Sequence, residues 1–247
     1  MFDWLKKRNK KKSVRPGAKR VANGDGSIIV IAIDGPSGSG KGTISRRVAV
    51  ELGFHLLDSG ALYRLVALAA EDACISLRNT KGLADLARNL DVRFESDEEG
   101  GERVWLSGRD VTGSLRSEET GAGASVVAQL EAVRDALLER QRTFRRPPGL
   151  VADGRDMGTK VFTDAALKIY LTASAEERAK RRHKQLKEKG LDVSLAALSR
   201  DIEKRDRRDS ERTIAPLKPA EDAKLLDTTG KSIEAVTQQV LDWVAEL

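Results

Sequence analysis

Residues 27–43 read SIIVIAIDGPSGSGKGT: an apolar, β-branched run, then four glycines closing around one lysine. The first half is short and apolar enough for a buried strand, and after it Ile44, Val48 and Leu52 recur every four residues, the period of a helix face. The segment therefore predicts strand, glycine loop, helix. Glycine lets successive backbone N–H groups turn toward one point at a helix N-terminus, and such a nest attracts an anion. Lys41 beside those donors would be repelled by them unless an anion filled the nest, so the predicted guest is a phosphate.

The pattern G-x4-G-K-[S/T] fits Gly35, Gly40 and Lys41, but Gly42 stands where the hydroxyl residue is expected and the hydroxyl is delayed to Thr43. Further along, FHLLDSG reads as a second strand followed by a helix carrying Leu62, Val66 and Ala69. GLVADG, ALKIYL and AKLLDTTG supply three more apolar runs before a terminal helix with Ile233, Val236, Val240 and Val244. Strands separated by helices predict an α/β fold with a five-stranded parallel sheet flanked by helices.

Between the halves, VRFESDEEGGERVWLSGRDVTG reads as short strands joined at Glu-Gly-Gly and Ser-Gly-Arg-Asp turns. A single long helix with Val126, Leu130, Val133 and Leu137 on its core face is expected next. Residues 176–212 read as two helices split at Gly190, the first opened by a capping box of Ser174 and Glu177.

The chain of 247 residues is 40% apolar and 33% charged, as a soluble globular protein is. It has no apolar run of about 18 residues and a charged N-terminus, so neither a membrane span nor secretion is expected, and a cytoplasmic location is. Cys74 is the single cysteine, and His55 and His183 are the only histidines, which excludes an internal disulfide and a zinc cluster and leaves little room for a Ser/His/Asp triad. The net charge of +6 is concentrated at the start: residues 1–26 hold nine Lys/Arg against Asp3 and Asp25, so the remainder is close to neutral. That segment reads as a disordered, solvated basic tail. Phe2, Trp4, Leu5 and the lysines after them offer the other reading, contact with RNA or an anionic membrane.

A phosphate loop serves GTPases, motors and small-molecule kinases alike. No Asn-Lys-x-Asp guanine motif occurs. Arginine is abundant instead: Arg64, Arg155, Arg178, Arg181, Arg182, and RDRRDSER from 205 to 212, where Arg205, Asp209 and Arg212 would share a helix face. Arginine forks match phosphate oxygens, whereas Glu176, Glu177 and Lys180 read as a solvated, salt-bridged face.

GPSGSGKGT, LLDSGALYR, VADGRDMGT and RDRRDSER, in that order and separation, resemble the bacterial cytidylate kinases, from about residue 28 to the C-terminus. The loop itself is similar to that of nucleoside monophosphate kinases. The resemblance implies the P-loop nucleoside monophosphate kinase fold with an inserted monophosphate-binding lobe and a short lid, and transfer of the γ-phosphoryl group of ATP to CMP or dCMP. It divides the chain into a core (27–75 and 145–247), an insert at about 76–144 and a lid at about 176–212. ATP would lie on Gly35, Pro36, Ser37, Gly38, Ser39, Gly40, Lys41, Gly42 and Thr43. Mg²⁺ would be held mainly by the ATP phosphates, with no dedicated protein metal site.

By the same resemblance Arg64 and Arg155 clamp the acceptor phosphate, and Arg178, Arg181 and Arg205 face the transferring group from the lid. Cytosine offers an N4 donor beside N3 and O2 acceptors, which asks for a carboxylate and donors; Asp156 and Arg134 supply them. Ser125 matches a base-touching position or is an N-cap, Arg134 follows the core residue Val133 and is expected to be exposed, and Asp209 with Arg205 matches positions near the sugar. Ser59 either touches the acceptor or stabilises its turn. A monomer is expected. Two other readings remain open: a kinase of the same fold for AMP, UMP or shikimate, and a nucleic-acid-associated P-loop protein using the basic tail.

Overall fold

A computed structural model describes residues 27–96, 102–188 and 190–247; the basic tail and the Glu-Gly-Gly turn lie outside the described residues. Five strands, β1 (Val30–Asp34), β2 (His55–Asp58), β6 (Leu150–Gly154), β7 (Leu167–Thr172) and β8 (Lys224–Asp227), form one sheet in the order β2-β6-β1-β7-β8. Every pairing in it is parallel, with Ile31 opposite Val151 on one side and Leu167 on the other.

Alternation along β1 shows why the sheet is covered on both faces. Ile31 and Ile33 belong to a core with Ile44 and Val48 of α1 (Lys41–Leu52) and Val236, Val240 and Val244 of α8 (Ile233–Ala245). Val30 and Ala32 point the other way, into a core with Leu62, Leu65 and Val66 of α2 (Ser59–Asp72). At about 25 cal/mol per Å² of apolar area, these two faces are the main source of stability. Ile233, expected on the core side, is 43% exposed, because it opens α8 at the rim of the cleft. Ala69 is only partly buried, at the edge of the face that Leu62 and Val66 define.

The insert shares the second core. Leu83 of α3 (Thr80–Arg88), Val104 and Leu106 of β4 (Glu102–Leu106), and Val133 and Leu137 of α5 (Glu131–Arg142) all join it. β4 pairs antiparallel with β3 (Val92–Ser96) and β5 (Arg109–Asp110), the latter through a turn in which Ser107 and Gly108 have φ of 49° and 78°.

The single long helix is corrected to two. α4 (Glu118–Val127) stops, residues 128–130 leave the helix, and α5 starts at Glu131. The Gln129 side chain donates to Ser125 O (3.2 Å) and Arg134 donates to Ala128 O (3.1 Å), so side chains satisfy carbonyls at the break. The core face of α4 is Ala124 and Val127, while Val126 is 36% exposed.

α6 (Ala175–Glu188) and α7 (Leu195–Ser210) follow β7. Ser174 Oγ accepts from Glu177 N–H (3.2 Å), half of the expected capping box; the Ser174 N–H donates to Thr229 Oγ1 instead, and the Glu177 carboxylate accepts from Arg181. Glu176 and Lys180 form the expected exposed pair at 2.6 Å. Arg212 lies beyond the end of α7, so the proposed three-residue helix face ends at Asp209. Among the described residues, no helix is long and apolar enough to cross a membrane.

Candidate active site

The glycine loop runs from the end of β1 into α1. At Gly35 a Cβ would lie 2.1 Å from Leu171 O of the neighbouring strand, and Gly40, the N-cap of α1, has φ of 91°. Both positions therefore require glycine. Loop carbonyls are drawn off to the sides: Ser37 O accepts from Arg178 (3.0 Å), Ser39 O accepts from the Thr228 hydroxyl (3.0 Å), and Pro36 O accepts from Lys41 Nζ (3.2 Å). No side chain caps α1 and its first turn contains no acid, so an anion can take that place.

Lys41 is 9% exposed. Burial first, and Arg155 second, lower its pKa to about 8, against the attraction of Asp153. Asp153, at the end of β6, is held up at about 7 mainly by its own burial. Arg205 on α7 is lowered to about 10 by burial and then by Arg155, and its Nε is buried with no partner. Arg64 is lowered by burial, with Arg155 opposing it as well. Four cations thus converge where the protein supplies too few anions, the electrostatic mark of a phosphate site.

The arginines divide by what they touch. Arg155 donates to Asp209 (3.1 Å) and to Gly154 O (3.2 Å); Arg64 donates to Leu115 O (2.8 Å). Arg181 donates to Thr228 Oγ1 (3.0 Å) and lines the cleft. Arg178 differs from expectation: it is 4% exposed, does not line the cleft, and its guanidinium is taken up by Ala173 O, Ser37 O and Asp206. It supports the loop from behind, tying α6 to α7.

Asp156 is buried and paired with Arg134, which also lies over the Tyr63 ring, 5.6 Å from its centroid. The expected exposure of Arg134 is wrong: this side chain is 9% exposed, because α5 presents it to the segment after β6. Ser125 falls near the end of α4, whose cap is Ser117, so it is no N-cap; its hydroxyl is buried and has no partner. Ser59 is likewise not the turn's cap, since Asp58 accepts from Ala61 N–H. The cleft, about 1250 Å³, is bordered by Gly38, Thr43, Arg64, Ser125, Arg181 and Arg205.

The sequence motifs assign no separate role to several neighbours of the site, although Tyr63 and Asp153 lie inside them. Asp34 and Asp153 end buried strands, a legible signal in a parallel sheet, whose sites form at the carboxyl ends of strands. Tyr63 and Thr228 give no such signal. Arg182 of α6 pairs with Glu118 of α4 across the mouth of the cleft. Arg212 is part-buried, with Nε and Nη2 unpartnered, beside Asp209, Arg134 and Asp156.

A glycine loop on an uncapped helix, faced by converging arginines on a parallel sheet, defines a P-loop phosphotransferase. Residues 31–246 match the model of the family described as Cytidylate kinase. The chain is 59% identical over 218 residues to the cytidylate kinase of Pseudomonas aeruginosa, covering 88% of this chain and 95% of that one. It is 56% identical over 218 residues to that of Cupriavidus necator, covering 88% and 96%. The chain belongs to the cytidylate kinase family.

Proposed function

We propose that the cleft binds ATP on the glycine loop and a cytidine monophosphate opposite it, with the residues in the roles set out below. The overall reaction is that of the family: the γ-phosphoryl group of ATP passes to CMP or dCMP, giving ADP and CDP or dCDP. The observation that carries the residue assignment is the convergence of Lys41, Arg64 and Arg205 on Arg155: burial, and next to it the like charge of Arg155, lowers the proton affinity of each of the three.

An oxygen of the acceptor phosphate forms the new bond to the γ-phosphorus while the bond to the β–γ bridging oxygen breaks, and the electron pair leaves with ADP. The acceptor's second ionisation lies near pH 6, so its oxygen is already anionic and needs no general base. Catalysis is then positioning and charge neutralisation. Lys41 neutralises charge between the β and γ phosphates, with Gly35, Pro36, Ser37, Gly38, Ser39, Gly40, Gly42 and Thr43 forming the ATP cradle. Arg64 and Arg155 hold the acceptor phosphate, and Arg181 and Arg205 face the transferring group. Arg178 acts through the loop it supports. Asp156 accepts from cytosine N4, Arg134 donates to the ring acceptors, Ser125 and Ser59 add hydroxyls, and Asp209 with Arg205 faces the sugar.

Mg²⁺ when bound to ATP neutralises the phosphates. The Thr43 hydroxyl, exposed on the loop, is the side chain there that could face such an ion. The groups named would suffice without a second copy, the reading behind the proposed monomer, and the substrates point to the cytoplasm. Phosphorus NMR of ATP with CMP should show CDP and ADP appearing in equal amounts. ATP loss to ADP and inorganic phosphate without CDP would contradict the reading.

We propose a division into core (27–75 and 145–247), insert (about 76–144) and lid (about 176–212), with the Arg182–Glu118 pair joining lid to insert. The first core residue of the sheet is Ile29, so deletion of residues 1–26 should leave kcat for CMP nearly unchanged. A large fall in kcat on deletion would make the tail part of the catalytic domain.

A further inference from the structure

Asp34 is the last residue of β1 and directly precedes Gly35, the first residue of the loop. It is 5% exposed. Its two carboxylate oxygens accept from two consecutive backbone N–H groups of another part of the chain: Oδ1 from Met157 (2.8 Å) and Oδ2 from Gly158 (2.9 Å). Those N–H groups open the wide helical turn Met157–Val161, whose own N-cap residue, Asp156, makes no capping bond. Arg155 and Asp156 sit immediately before it.

We propose that Asp34 is a positioning residue for the acceptor side: a cap supplied across the sheet that fixes the backbone carrying Arg155 and Asp156 relative to the glycine loop. The inference rests on the acceptor reading above and adds the residue that sets the geometry between donor and acceptor. A carboxylate suits the task because both oxygens accept, whereas a carboxamide accepts with one atom and presents N–H to the other donor. Reacting groups must be held within fractions of an ångström, so a cap behind them acts on substrate affinity without touching substrate.

The charged and titratable groups facing Asp34 are Asp156, Arg155 and Asp153 from the β6 side, and Tyr170, its register partner on β7. Burial, opposed by the two backbone hydrogen bonds, raises its pKa to about 7. As pH falls through that value the carboxyl gains a proton and one of the two N–H groups loses its acceptor. Affinity for CMP should therefore weaken toward acid in a limb distinct from the substrate's own ionisation near pH 6.

The test is Asp34→Asn in the full chain, with kcat and KM for ATP and CMP measured from pH 6 to 9, and thermal unfolding as a check of the fold. At pH 8 the KM for CMP should rise about tenfold, the effect of one lost buried charge-assisted hydrogen bond, while the KM for ATP stays close to wild type. The limb near pH 7 in the affinity for CMP should vanish. Equal rises in both KM values, or no change in either, would overturn the proposal. Should the variant not fold, the Met157 and Gly158 amide resonances of the wild type carry the test: a pH-dependent shift of both that tracks CMP affinity supports it, and a shift of both with CMP affinity unchanged overturns it. Absence of CMP turnover in the wild type would instead sink the acceptor reading itself.

Discussion

Replacing Lys41 by alanine should lower kcat with ATP and CMP by two or more decades while leaving the protein folded. One well-aimed electrostatic contact to a developing charge commonly contributes about 3 kcal/mol to lowering a barrier. Lys41 is aimed by the loop backbone: Nζ donates to Pro36 O at 3.2 Å, beside the uncapped first turn of α1. Burial, the largest cause, and Arg155 after it hold this ammonium at a disadvantage and bring its pKa down to about 8. Between pH 8 and the ordinary lysine value the folded chain therefore binds fewer protons than the unfolded one, and stability attributable to this group rises with pH across that interval. At pH 7, below both values, the charged form is the disfavoured one in the fold, so alanine should leave the unfolding temperature no lower than that of the wild type. A coupled assay and a melting curve on one preparation check both halves. Near-normal turnover in the variant would remove the phosphate-loop assignment.

Asp156→Asn should lower the ratio of kcat/KM for CMP over UMP by one to two decades. Uracil replaces the N4 donor by an O4 acceptor and makes N3 a donor, so an ionised carboxylate facing cytosine N4 would meet a lone pair in uracil. A carboxamide can donate or accept, which removes that repulsion. Losing a buried polar pairing of roughly 1–3 kcal/mol sets the expected size. The buried pair with Arg134 gives Asp156 a second task, since Arg134 is fixed by Asp156, Ala128 O and the Tyr63 ring together. If Asp156 only orients its neighbours, both nucleotides suffer alike, so uniformly lower activity at an unchanged ratio would exclude it from base reading.

The parallel sheet, its five strands and the loop were legible because they rest on local signals: β-branched runs of strand length, and glycines where the backbone must turn tightly. What failed was decided between elements. The break at residues 128–130 is met by Gln129 and Arg134 reaching back to the carbonyls of Ser125 and Ala128, which a helical period running through Val126, Leu130 and Val133 hides. Arg134 follows a core residue and so reads as outward-facing, yet the segment after β6 covers that side of α5. Arg178 has the residue type and spacing of a phosphate reader, but Asp206, twenty-eight positions away, takes its fork. Asp34 and Asp153 carry a sequence signal, an acid ending an apolar strand, but their partners Met157, Gly158 and Lys41 are tertiary neighbours.

The measurement that bears most directly on the whole account is turnover with ATP against CMP, dCMP, UMP and AMP under one set of conditions. The proposed placing of Asp156, Arg134 and Ser125 around the acceptor base predicts that kcat/KM is highest for a cytosine nucleotide, with UMP and AMP at least a decade lower, the size of one mismatched buried polar pairing. Equal or faster turnover of AMP or UMP would contradict it.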